Sequence, residues 1–372
     1  MIYLDNAATT SLDRDVLAAM EPYFTQIYGN SQSQHSFGRQ AAKAVQSVRD
    51  SIAARNVCSP EEIYFVSGGT EGDNLAIKGL CHAYGRGHII ISGIEHSALY
   101  DSALQLKSEG YELSVIPPAP EGIISPDAVR EAIRPDTIFC GVMYANNETG
   151  IIQPVQDIYS VCRSKGVFFY TDCVQAAPYM PLSSSLADGL VFSAHKLYGP
   201  KGIAALYIRG GTKVKPVITG GMQERTLRGG TLNVPGIVGL GAAYEKCVST
   251  QETVNPYIRS MRDTFLKRVL AEIPGSRLNG SGPMLPSHAN ISFDGCAGEN
   301  IVFSLDLKGI AVSTGAACSA GAVTPTRVIS SMLGLPRAKS AVRFSFGRNN
   351  TPEEIPQVLD ALKECVSRIR SV

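Results

Sequence analysis

The sequence predicts an α/β protein: a large domain built on a mostly parallel sheet, then a smaller α+β domain. Three observations predict it. Short apolar runs alternate with helical patterns from residue 60 to about 210. A Gly- and Thr-rich stretch without periodicity, 212–235, ends that alternation. The chain's 372 residues also exceed the ~100–200 residues of a typical single core.

The runs Glu62–Val66, His88–Ser92, Thr137–Met143, Val167–Asp172, Leu190–Ser193 and Ala204–Ile208 read as buried strands. Between them, Thr70–Leu80, Ser97–Gly110, Pro126–Ile133 and Pro154–Gly166 read as helices. Strands that alternate with helices give a parallel sheet covered on both faces. Ligands of such sheets sit beyond the carboxyl ends of the strands. After residue 235 a helical stretch is expected over Ile237–Leu270, interrupted at Pro256. Short strands follow at Ala289–Phe293 and Ala341–Ser345, with a small-residue loop at 313–325 and a last helix over Pro352–Ile369. The expected division is an N-terminal arm, 1–13, packing with the small domain, a large domain, 14–251, and a small domain, 252–372.

Composition narrows the function. Apolar residues make up 44% and charged residues 18%, with a net charge of +1, so no strong field invites nucleic acid or a membrane surface. No apolar run reaches the ~20 residues of a membrane helix, and the first residues lack the basic and apolar regions of a signal peptide. Nine cysteines form no C-x-x-C pair, which argues against zinc ribbons and a disulfide framework and for a reducing cytoplasm.

Three segments follow predicted strands and carry chemistry. Ser67-Gly-Gly-Thr-Glu opens a helix. Its small residues, Gly69 and Thr70 among them, let a phosphate approach free backbone N–H groups, although Gly-Gly in that place also makes a tight turn. Asp172 closes the apolar run Phe168-Phe-Tyr-Thr. A carboxylate there needs a cation or several donors; it is either a helix N-cap or the partner of a protonated ring nitrogen. Ser193-Ala-His195-Lys196 ends another strand. A lysine leaving an apolar strand, partly desolvated, can form a Schiff base. Lys201 competes with it, but Gly-Pro-Lys-Gly reads as an exposed turn. A phosphate cradle, a carboxylate and a reactive lysine, in that order on an α/β chain, form the layout of a fold-type I enzyme dependent on pyridoxal 5'-phosphate.

From Tyr3 almost to its end the chain resembles the cysteine desulfurases, within the class V aminotransferase group. The matching strings are Tyr3-Leu-Asp-Asn-Ala-Ala-Thr-Thr, Ser67-Gly-Gly-Thr-Glu-Gly-Asp-Asn, Glu95-His96, Asn146-Asn-Glu-Thr-Gly, Asp172-Cys-Val-Gln175, Ser193-Ala-His-Lys-Leu-Tyr-Gly-Pro-Lys-Gly, Gln223-Glu-Arg-Thr-Leu-Arg-Gly-Gly-Thr231, Ser313-Thr-Gly-Ala-Ala-Cys318 and Val342-Arg-Phe-Ser. The resemblance implies that Lys196 holds the cofactor and moves the α-proton, and that Asp172 pairs with the pyridinium nitrogen. It implies that Gln175 bonds the ring hydroxyl and that His96 stacks on the ring and exchanges protons with the substrate. Thr70, Ser193 and His195 would hold the phosphate, beside Gly69, with Thr231 reaching it from the other subunit of a homodimer. Asn147 and Arg343 would position the carboxylate of L-cysteine, a planar guanidinium gripping it with two parallel bonds.

The same resemblance makes Cys318 the residue that receives sulfur and passes it to an acceptor protein, such as an iron–sulfur scaffold. No metal ligand is implied. Cys318 stands in Ser-Thr-Gly-Ala-Ala-Cys-Ser-Ala-Gly-Ala, a stretch without apolar periodicity for which a mobile loop is expected. Selenocysteine lyases and other lyases or aminotransferases of the same fold are the alternatives, and they do not need Cys318. Besides Ser319-Ala-Gly-Ala, which differs from the usual Thr/Ser-rich string, and a helix one residue longer after Pro325, two further departures are visible. Cys173 stands where many relatives have alanine, and the chain stops just past its last helix, where relatives that dock a scaffold protein often carry a tail.

Overall fold

A computed structural model describes residues 1–315 and 325–371. In chain order the elements are β1 (Ile2–Tyr3), α1 (Arg14–Met20), α2 (Pro22–Thr25), α3 (Ser36–Asn56), β2 (Ile63–Val66), α4 (Gly69–Tyr84), β3 (His88–Ser92), α5 (Ser97–Ser108), β4 (Glu112–Ile116), α6 (Pro126–Ala132), β5 (Thr137–Gly141), α7 (Val155–Ser164), β6 (Phe168–Asp172), β7 (Gly189–Ser193) and β8 (Ala204–Ile208). Then come α8 (Val234–Glu272), β9 (Ser276–Leu278), β10 (His288–Phe293), α9 (Gly298–Asp306), β11 (Ile310–Ala311), α10 (Arg327–Leu333), α11 (Leu335–Lys339), β12 (Ala341–Ser345) and α12 (Glu354–Arg370).

Seven strands form the main sheet in the order β2-β8-β7-β6-β5-β3-β4. The pairs β7–β6, β6–β5, β5–β3 and β3–β4 are parallel, and β8 runs antiparallel to both β2 and β7. Strand β2 therefore points the same way as β7, and the carboxyl ends of β2, β3, β5, β6 and β7 share one edge. Continuous apolar runs produce this sheet. His88–Ser92, Gly189–Ser193 and Ala204–Ile208 are buried at every position, as strands covered on both faces must be. One face packs residues such as Ile90, Phe169 and Phe192 against α1, α3, α7 and α8. The other packs Ile89, Tyr170 and Val191 against α4 and α5.

A second core surrounds the antiparallel sheet β12-β10-β9, where Phe265, Phe293 and Phe344 meet. Leu4 belongs to it, and β1 pairs in parallel with β11. Helix α8 links the two cores: Ile237, Leu240 and Tyr244 pack in the first, Ile258, Met261 and Phe265 in the second. The interruption expected at Pro256 is not present, and the helix continues through it for 39 residues. Burial of apolar side chains on both sides of the proline outweighs the ~3 kcal/mol a helical proline costs. Helix α3 and strand β4 were not anticipated. Strand β4 lies at the sheet edge with Glu112 and Val115 exposed, so it lacks the apolar run that marks its neighbours. No helix among the described residues is long and apolar enough to cross a membrane.

Candidate active site

The shared edge of the sheet opens onto a cavity of about 690 Å³. Ten of the residues singled out from the sequence line it: Gly69, Thr70, His96, Asn147, Asp172, Gln175, Ser193, His195, Lys196 and Arg343. They arrive from separate places in the chain: after β2, β3 and β5, at or after the ends of β6 and β7, and, for Arg343, from within β12. Thr231 is exposed and lies outside the lining. Cys318 lies outside the described residues. Gly315, three positions before it, and Pro325, Thr326 and Arg327 after it all line the cavity.

Small residues shape the turn after β2. A Cβ at Gly69 would stand 2.8 Å from Val174 Cγ2, and one at Gly72 2.5 Å from Val191 Cγ2. The turn is closed by Glu71, whose Oε2 accepts from Ser67 N at 2.8 Å. The first turn of the 16-residue helix α4 is thereby presented to the cavity.

Asp172 is buried, and its Oδ1 accepts from Val174 N at 2.7 Å. It makes the N-cap-like bond of the plainer reading and still faces the cavity. Burial raises its proton affinity, against the bond from Val174 N and the charges of His96 and Lys196. Lys196 stands on a single helical turn after β7. Its Nζ donates to Ala7 O and Ala8 O, each at 2.6 Å. Gln175 Nε2 also donates to Ala7 O, at 2.8 Å. Lys201 is exposed. His96 caps α5: its Nδ1 accepts from Ala98 N at 3.1 Å, so the neutral ring carries its proton on Nε2. His195 Nδ1 faces Thr9 Oγ1 at 3.2 Å. Burial, then the charges of Lys196 and Lys201, push its pKa down to about 4, leaving a neutral imidazole at physiological pH.

Arg343 projects from β12 into the same space. Its Nη2 donates to Asp5 Oδ1 at 2.7 Å and its Nη1 to the Asn147 carbonyl at 2.8 Å. Its Nε is buried and has no hydrogen-bond partner among the described residues.

Several lining residues escaped the sequence reading. Asp73 is buried on α4 and accepts from Tyr170 OH at 2.9 Å. Its signal was a carboxylate on the apolar stripe of a helix. Burial, then the neighbouring Asp172, raises its proton affinity well above the ordinary range. Glu148 is buried and accepts from Thr326 Oγ1. Arg327 donates to the carbonyls of Gly93 and Glu95 and lies over the Tyr100 ring at 3.7 Å. Ala7 and Ala8 act through backbone carbonyls, which no side-chain pattern signals. Cys173 does not line the cavity. It is fully buried, with Sγ 3.7 Å from Thr171 O, and packs inside the large core.

Glu95 is 1% exposed. Its Oε1 accepts from Ser92 Oγ and from Met143 N, while Oε2 has no partner among the described residues. Burial raises its pKa from 4.5 to about 8. The folded chain therefore keeps a proton that the unfolded chain has released. This contribution to stability is full below the ordinary carboxylate range and is lost as pH rises through about 8, a span on the order of 5 kcal/mol. The cofactor-free protein is expected to melt lower at about pH 9 than at about pH 6. Glu95→Gln should flatten that decline, and thermal scans at the two pH values check it.

The residues fit a pyridoxal phosphate. Thr70, Ser193, His195 and the start of α4 offer donors for a phosphate. Asp172, buried with a raised proton affinity, calls for a cation such as a pyridinium N–H. Lys196 supplies the amine, and the cavity is roomy enough for the cofactor and a small amino acid.

The family model of class V aminotransferases matches residues 2–358. The chain belongs to this family. Its enzymes, this one included, depend on pyridoxal 5'-phosphate. The chain is 40% identical over 377 residues to a protein named cysteine desulfurase IscS from Dictyoglomus turgidum, covering 100% of this chain and 96% of that one. A solved structure described as a NifS-like protein superposes with a TM-score of 0.92 at 31% identity, over 99% of both chains. Another, described as SspA in complex with cysteine, gives a TM-score of 0.81 at 31% identity, over 94% of this chain and 100% of that one. The fold is therefore fold-type I, with the mostly parallel α/β sheet that the strand and helix pattern predicts.

Proposed function

We propose that this enzyme is a cysteine desulfurase that converts L-cysteine to L-alanine and takes the sulfur onto Cys318. One observation carries the reading. The residues flanking the Cys318 segment line the same cavity as Lys196, Asp172 and Arg343. A nucleophile borne there works on the molecule that those three residues hold. The names of the relatives support it.

Lys196 and Asp172 would hold the cofactor, with Gln175 and His96 at its ring and Thr70, Ser193 and His195 at its phosphate. When bound, it supplies an electron sink for negative charge left at the substrate's α-carbon. Arg343, backed by Asp5 and the Asn147 carbonyl, orients the substrate carboxylate. Lys196 Nζ removes the α-proton. The Cys318 thiolate then attacks the substrate sulfur. The carbon–sulfur bond breaks, its electron pair stays with the carbon side, and a sulfur–sulfur bond forms on Cys318. Protons returned to the carbon skeleton, with His96 as one source, complete alanine. Cys318 passes its outer sulfur to an acceptor protein, for which an iron–sulfur scaffold is the natural class. The enzyme acts as a homodimer in the cytoplasm, each Thr231 reaching the phosphate of the other subunit. Selenocysteine fits the same cavity, and selenium departs more readily.

Incubation of the holoenzyme with L-cysteine tests the reading. Alanine with protein-bound sulfur is the expected result. Pyruvate would make the chain a β-eliminating lyase, and a keto acid without sulfur release would make it an aminotransferase. Asp172→Asn is expected to weaken cofactor retention and to slow exchange of the α-proton by roughly 100-fold or more. Deuterium incorporation into the substrate, followed by NMR, checks this. An unchanged rate would leave Asp172 as a turn-capping residue only.

A further inference from the structure

The segment from Met222 to Thr231 is tied to the β2–α4 unit of its own chain at Glu224, at Arg225, whose Nη2 donates to Ile63 O at 2.7 Å, and at Arg228. Glu224 is buried. Its carboxylate accepts from Arg49 Nη2 at 2.6 Å and Nη1 at 3.0 Å, and from Phe65 N, in β2, at 2.8 Å. Around this anchor the backbone is left-handed at three successive non-glycine residues, Glu224, Arg225 and Thr226, with φ of 44°, 54° and 69°. Such a run is disfavoured for L-residues, most of all for the β-branched threonine, and persists only where its surroundings impose it.

A further tie is Arg228. Its Nε donates to Glu71 Oε1 at 2.8 Å, with the side chains 19% and 11% exposed. Glu71 does not line the cavity. Its other oxygen closes the turn that presents Gly69 and Thr70. Arg228 thus braces the phosphate turn of its own chain, and it precedes Thr231 by three residues.

We propose that Arg228 is a positioning residue for two phosphate sites at once. It fixes Glu71, and with it the α4 turn, in its own subunit, and it fixes the path to Thr231, which serves the partner's pocket. The second half rests on the cross-subunit role of Thr231 given above. The strained backbone anchored by Glu224 supports it, because a segment held at both ends delivers Thr231 at a fixed place and a free one would not.

Heterodimers purified through two different tags test this. One protomer carries Lys196→Ala, so that only the other, reporter pocket keeps cofactor through dialysis. Arg228→Met is placed in either protomer, and retention of pyridoxal phosphate is compared with binding of pyridoxal, which has no phosphate. Either placement is expected to weaken pyridoxal phosphate about tenfold and to leave pyridoxal unchanged. Glu71→Gln, which removes the same ion pair with a smaller change, should give the same pattern. Thr231→Ala should act only from the Lys196→Ala protomer. If Arg228→Met and Glu71→Gln act from one placement alone, or weaken both ligands equally, the two-site role is wrong. If Thr231→Ala has no effect from across the dimer, the cross-subunit reading itself fails, a result distinct from loss of the Arg228 effect.

Discussion

Lys196→Ala is expected to abolish turnover of L-cysteine, with a loss of at least roughly 1000-fold. Two roles vanish together. The amine that would hold the cofactor covalently is removed, and so is the base beside the substrate's α-carbon. The change also frees the carbonyls of Ala7 and Ala8 from the Nζ contacts at 2.6 Å, so the N-terminal arm loses a tie to the sheet edge. The donors at Thr70, Ser193 and His195 remain, and pyridoxal phosphate should still bind, more weakly. The visible absorption of the dialysed variant checks this against the parent. A variant that keeps the parental band after dialysis would move the covalent role to another lysine. Lys201, five residues on and exposed, would be the one to examine.

Cys318→Ser is expected to remove sulfur transfer while sparing everything before it. The hydroxyl is close to the thiol in size. Its proton is far more tightly held, and oxygen is a poor acceptor of sulfur. The α-proton should still exchange with solvent, because Lys196, Asp172 and His96 are intact. Alanine and bound sulfur should both fall to background with L-cysteine. With L-selenocysteine, turnover should persist, since selenium leaves without help from a thiolate. The eight described cysteines cannot substitute. All are free, six are buried, and burial pushes the thiols of Cys58, Cys81 and Cys247 up to about 12.

The large sheet was legible because its strands are buried on both faces, and a run such as His88-Ile-Ile-Ile-Ser leaves little choice. Strand β4 was not, because an edge strand half open to water needs no such run. The continuity of α8 through Pro256 was hidden because the two cores that hold it are assembled from distant segments. The site was legible where chemistry follows a strand end, as at Asp172 and Lys196. It was less so where a backbone carbonyl does the work, as at Ala7 and Ala8, or where the meaning of a carboxylate depends on burial. Asp73 and Glu95 are ordinary letters in the sequence. Only their enclosure, with Asp172 nearby, raises the proton affinity of both.

The central claim is that sulfur leaves L-cysteine for Cys318. A single turnover of the holoenzyme with L-cysteine, quenched with a thiol-alkylating reagent, digested and read by mass spectrometry, addresses it most directly. The account predicts one added sulfur atom on the peptide carrying Cys318, in step with the alanine formed. Alanine formed with that peptide unchanged, or the added sulfur found on another cysteine, would contradict it.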